Sequence, residues 1–134
     1  MSKYVFNKVT ITGPEVSIKS LLDSVQSRSS LFDFETIFPT PKLSRNQLQD
    51  WRSTNWGTVR NSIDAVISQS NPTHVTITFQ TVWKSPTAVV KVLSSQHPDL
   101  GVLLTSEYQS EKCVRLTTYS RGEILAMNSM SYAD

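Results

Sequence analysis

The chain has one cysteine and four glycines in 134 positions, and no two like charges stand side by side. Each scarcity removes a class of explanation. A lone Cys113 forms no internal disulfide, so the fold must come from a packed core; the thiol fits a reducing compartment, with the cytoplasm the expected location. It also excludes a cysteine-ligated iron–sulfur cluster within one chain. No metal-ligand spacing and no glycine-rich phosphate loop occurs, so no cofactor is expected. Thirteen basic and eleven acidic residues leave a net charge of +2, spread singly from Lys3 to Arg121, whereas phosphate binding gathers cations on one face. No apolar run approaches the ~20 residues of a membrane-spanning helix, and Met1 to Val9 lacks the apolar stretch and cleavage site of a secretory leader.

What is present is order. Ser and Thr supply 34 of the 134 residues, giving a neutral hydroxyl surface, and the apolar residues fall in periodic runs. Val5, Val9 and Ile11 share one parity and predict a first strand; Gly13-Pro14 ends it, and Ile18, Leu21, Leu22 and Val25 repeat as one helical stripe. Leu31 to Leu43, rich in Phe and broken by Pro39 and Pro41, should pack on the core as irregular chain. Between about 43 and 70, Leu48 and Trp51, then Val59, Ile63, Val66 and Ile67 at helical spacing, predict two helices hinged at Gly57. Val75, Ile77 and Phe79 alternating with Thr76, Thr78 and Gln80 give the clearest strand. Ser85-Pro86 reads as a helix start, with Val89, Val92 and Leu93 its buried stripe. Val102 to Tyr108 and Val114 to Leu116 predict a hairpin, and about 123–134 a loose tail.

The order strand, helix, helical insertion, strand, helix, strand, strand predicts a single α+β domain over 1–134. The expected architecture is a ferredoxin-like sandwich: a four-stranded antiparallel sheet with two main helices on one face. Three segments point further: Asp33-Phe34 to Phe38-Pro39-Thr40-Pro41, Asn55-Trp56-Gly57-Thr58, and Phe79-Gln80-Thr81-Val82-Trp83-Lys84-Ser85-Pro86. With Ser94 to Leu100 they resemble the YubB-like ferredoxin-like domain family of phage and plasmid proteins, over about Asp33 to Tyr108. This chain departs from the family pattern at Val59, Val82, Lys84 and Thr87. The resemblance implies an origin on a mobile element and the ferredoxin-like fold; it assigns no reaction.

The catalytic inventory is thin: Cys113, His74, His97 and dispersed carboxylates. Cys113 fits packing better than nucleophilic chemistry, and the two histidines fit roles at a turn and a helix end. Trp56 and Trp83 are expected to staple the insertion to the sheet, with Arg52, Asn55, Thr58 and Arg60 around them as an alternative surface. On the helix-free face the polar parity offers Lys8, Thr10, Thr76, Thr78, Gln80, Arg115 and Thr117, with Tyr119 as aromatic platform. Base stacking in the manner of RNA-recognition domains is disfavoured there, and Arg115, Tyr119 and Arg121 are the expected protein-binding anchors.

The leading expectation is a non-enzymatic phage or mobile-element accessory protein that binds a host protein complex, as an anti-CRISPR-type counter-defence inhibitor would. A nucleic-acid-binding domain using Lys84, Lys91, Arg115 and Arg121 is the alternative. An enzyme with a pocket near Trp56 and Trp83 is the third reading.

Overall fold

Strand β1 (Tyr4–Thr12) runs through the middle of the molecule, pairing antiparallel with a strand on either side. The computed structural model describes residues 3–133. Helix α1 (Glu15–Val25) follows, burying Ile18, Leu21 and Val25. The short helix α2 (Phe34–Ile37) is started by Asp33, whose carboxylate accepts from the Glu35 N–H at 2.9 Å. Helix α3 (Arg45–Asn55) opens with a capping box, Ser44 and Gln47 each answering the other's backbone N–H. Strands β2 (Ile63–Asn71) and β3 (His74–Val82) form a hairpin around Pro72-Thr73, helix α4 (Thr87–Gln96) crosses over, and β4 (Gly101–Tyr108), β5 (Cys113–Ser120) and β6 (Glu123–Ser131) complete the chain.

The strands form one antiparallel sheet in the order β2-β3-β1-β4-β5-β6. One face is covered: Val9, Ile11, Val75, Ile77, Phe79, Val102 and Leu104 meet Ile18, Leu21, Phe34, Trp56, Val89 and Leu93 in a single core. Phe32, Phe34, Phe79 and Trp56 interlock there, with ring centroids 4.9–6.0 Å apart, several edge to face. Val75, Ile77 and Phe79 face the helices as their alternation predicts.

The class is α+β, but the four-stranded ferredoxin-like sandwich is not what forms: the sheet has six strands. Two segments account for the difference. The second half of the expected helical insertion is β2, whose pairing with β3 shifts between Ile63 and Val66 and again between Ile67 and Gln69. Asp64 sits at φ 55°. Such bulges break the two-residue alternation, so the apolar residues of β2 mimic a helical period. The expected loose tail is β6, paired with β5 along its length; Asp134 lies outside the described residues. Arg121 (φ 54°) and Gly122 (φ 79°) make the two-residue turn with both centres left-handed that suits a tight hairpin. Because β6 is exposed on both faces, it has no core-facing stripe to betray it.

Candidate functional site

The three segments that carry the family resemblance converge at the N-terminus of α4. The Trp56 carbonyl accepts from the Val89 N–H at 3.1 Å, so α3 ends by capping α4. Gly57 permits this approach: at φ 92°, a Cβ there would lie 2.9 Å from the Ser85 carbonyl oxygen. Thr58 Oγ1 donates to the Val82 carbonyl at 2.7 Å, and Trp56 Nε1 donates to the Phe38 carbonyl at 2.9 Å. The motif residues are thus joints between α2, α3, β3 and α4.

The alternative surface largely dissolves into these joints. Arg52 lies 4.8 Å from the Trp56 ring centroid, pairs with Glu35 at 3.0 Å and donates to Thr40 Oγ1 at 3.3 Å. Asn55 donates to the Trp51 carbonyl, and Thr58 is buried. Arg60 is exposed.

Of the expected anchors, Tyr119 faces the wrong way. It is 1% exposed, packs in the core, and donates its hydroxyl to the Thr87 carbonyl at 3.0 Å. Burial pushes its ionisation far above the ordinary tyrosine range, so the hydroxyl stays a donor. Arg115 and Thr117 share its parity, and the Arg115 guanidinium lies 5.6 Å from the Tyr108 ring centroid. The Tyr119–Thr87 bond turns this parity of β5 toward α4, and in the turn after β5 the Gly122 N–H donates to Ser94 Oγ of α4 at 3.1 Å. Arg121 is exposed, on the hairpin turn. The three anchors do not form one patch on the helix-free face.

Beside α4 lies a polar hollow of about 380 Å³, lined by Lys84, Thr87, Tyr108, Glu111, Cys113 and Arg115 among others. Beneath this end of the sheet, Asn7 joins three strands, donating to Thr81 Oγ1 at 2.9 Å and accepting from Ser106 Oγ at 2.8 Å. The histidines are not assembled with Cys113. His97 follows the far end of α4, about 15 Å of helix away, with Nε2 3.3 Å from Ser24 Oγ. Burial lowers its pKa against the opposing pull of Asp99. His74 opens β3, whose opposite end adjoins the hollow. Among the described residues no group of three or more His, Cys, Asp or Glu could hold a metal ion.

The helix-free face holds what the sequence reading missed. Tyr4, Phe6 and Lys8 alternate along β1 with the core residues Val5 and Val9. In register, Tyr4 stands opposite Val82, and Phe6 opposite both Gln80 and Glu107. Trp83 follows Val82 and donates its backbone N–H to the Lys3 carbonyl at 2.7 Å. Three aromatics therefore lie at one end of the sheet in solvent: Trp83 is 53% exposed, Tyr4 40% and Phe6 38%. Trp83 is not the staple that Trp56 is. Its backbone takes φ 67°, an uncommon and costly conformation for a bulky side chain. Beside Phe6 runs a groove of about 410 Å³, whose walls include Lys8, Asp64, Gln80, Glu107 and Val114. Parity already sets Phe6 on the face of Lys8, and extending β1 to its start adds Tyr4.

Comparison with known proteins adds fold but no function. No family model and no curated protein matches the chain. Among solved structures, the chain is similar to the protein api92 from Yersinia pseudotuberculosis, a DUF1281 protein, at 12% identity and a TM-score of 0.62. The match covers 76% of this chain and 40% of that one. At this identity the likeness concerns the fold alone. Among the described residues no helix is long and apolar enough to cross a membrane.

Proposed function

We propose that the protein is a non-enzymatic binding module that holds a partner protein on the helix-free face of its sheet. The observation that carries the reading is the exposed aromatic end of the sheet, Tyr4 and Phe6 on that face with Trp83 just beyond β3. Large aromatics are costly to leave in water and are enriched among residues that dominate protein interfaces. The strained backbone of Trp83 adds to this, since such conformations cluster where function keeps them. The groove beside Phe6 brings Lys8 together with Asp64 and Glu107. Mixed charge of this kind suits a polar rim around an apolar anchor and opposes a phosphate backbone.

The resemblance to phage and plasmid proteins makes a host protein complex the partner we favour, with counter-defence inhibition as the role. Such an inhibitor acts by occupancy, so its effect saturates near one copy per target site.

Capture of the tagged chain from bacterial lysate, alongside a Tyr4→Ser/Trp83→Ser variant, tests the reading. The expected result is a protein retained in near-equal amount by the wild type, through a high-salt wash, and lost by a variant that still folds. Retention by the folded variant overturns the assignment of the face. Capture of nucleic acid that high salt releases favours the alternative, because phosphate contacts weaken steeply with salt. Substoichiometric turnover of a target overturns the non-enzymatic reading.

A further inference from the structure

The two edges of the sheet differ in a way that points to self-association. Edge strands expose unpaired backbone donors and acceptors, and proteins that remain single blunt them with bulges, prolines or charges. The β2 edge has such devices: two register shifts and Asp64 in a left-handed conformation. The β6 edge is open where it is regular. Beyond one shift near its start, Ala126 to Ser131 pair with β5 without interruption. From Ile124 to Ala133 the sequence contains no charge and no proline. Leu125, Met127 and Met130 are exposed on it.

We propose that β6 pairs antiparallel with β6 of a second copy of this chain, giving a two-fold dimer with one continuous sheet. Two features suit pairing with a second copy. From Ile124 onward the strand is neutral and meets itself without like-charge repulsion, which is destabilising when such residues stand directly opposite. The one charge within β6, Glu123, is its first residue. A two-fold antiparallel pairing keeps the Glu123 side chains of the two copies at opposite ends of the seam, whereas a parallel pairing would set them side by side. The interface is isologous and therefore closes at two.

The test is the mass of the purified chain in solution at high micromolar concentration, by light scattering, beside a Met127→Lys/Asn128→Lys variant. The adjacent lysines project from opposite faces of the strand, and both positions are exposed, so the fold should survive. The wild type is expected at twice the 15.1 kDa chain mass and the variant at one. A monomeric wild type, a dimer indifferent to the lysines, or open-ended oligomers would each overturn the proposal. Should the variant misfold, amide exchange on the wild type decides: amides within Ala126–Ser131 should slow as concentration rises, and exchange independent of concentration contradicts the pairing.

Discussion

The two faces of the sheet use aromatic residues to opposite ends. On the covered face Phe32, Phe34, Trp56 and Phe79 contact one another, and the polar atom of Trp56 has its acceptor in Phe38. On the open face Tyr4 and Phe6, and just beyond the end of β3 Trp83, are left substantially in water. The difference teaches that residue type does not distinguish a stabilising aromatic from a recognising one; what lies against the ring does. Trp56 and Trp83 belong to neighbouring motifs, yet one closes the core and the other stands outside it.

The contrast predicts its largest effect for the covered face. Trp56→Ala or Phe79→Ala should cost ~3–5 kcal/mol in denaturant unfolding, as expected for a buried aromatic. An equal cost for Trp83→Ala would break the comparison. Next is Gly57→Ala, which should cost about 1–3 kcal/mol from backbone strain before its overlap with the Ser85 carbonyl is counted. A smaller effect tests the strain at Trp83. Because glycine adopts φ 67° without steric cost, Trp83→Gly should be more stable than Trp83→Ala by about 1 kcal/mol, the reverse of their usual order. Equal stability would show that the backbone relaxes.

The smallest effect is a pH dependence at the far end of α4. The pKa of His97 is lowered in the fold, so the unfolded chain binds the proton more tightly. Its contribution is fully present above the unfolded value near 6.5 and is lost as pH falls through the lower folded value. His97→Gln should flatten the stability profile of the wild type in that window. An unchanged slope would assign it to other groups. Asp33 behaves similarly at more acid pH: burial alone would raise its pKa, but hydrogen bonds involving Ser27, Asn61 and the Glu35 N–H outweigh that and lower it.

Much of the fold was legible because burial imprints a period. The stripe Ile18, Leu21, Val25 and the alternation Val75, Ile77, Phe79 each record a surface pressed against a core. Where that imprint is missing, the reading fails. Strand β6 has no buried residue, and β2 carries two register shifts that disrupt its alternation. The site failed for a related reason. Assigning Arg115, Thr117 and Tyr119 to the open face assumed that polar parity faces water, whereas β5 turns that parity toward α4 and leaves Val114 and Leu116 on the other side. The exposure of Trp83 depends on where the chain leaves β3, which no local pattern encodes.

If the aromatic end of the sheet is the recognition surface, a photo-crosslinking amino acid placed singly at positions 6, 83 and 16 in bacterial cells will reveal it. Val16 is a suitable control, being 78% exposed on α1. A crosslink to one and the same partner protein is expected from positions 6 and 83, and none from 16. Crosslinking from 16 or from the neighbourhood of Arg60, with none from 6 and 83, would contradict it.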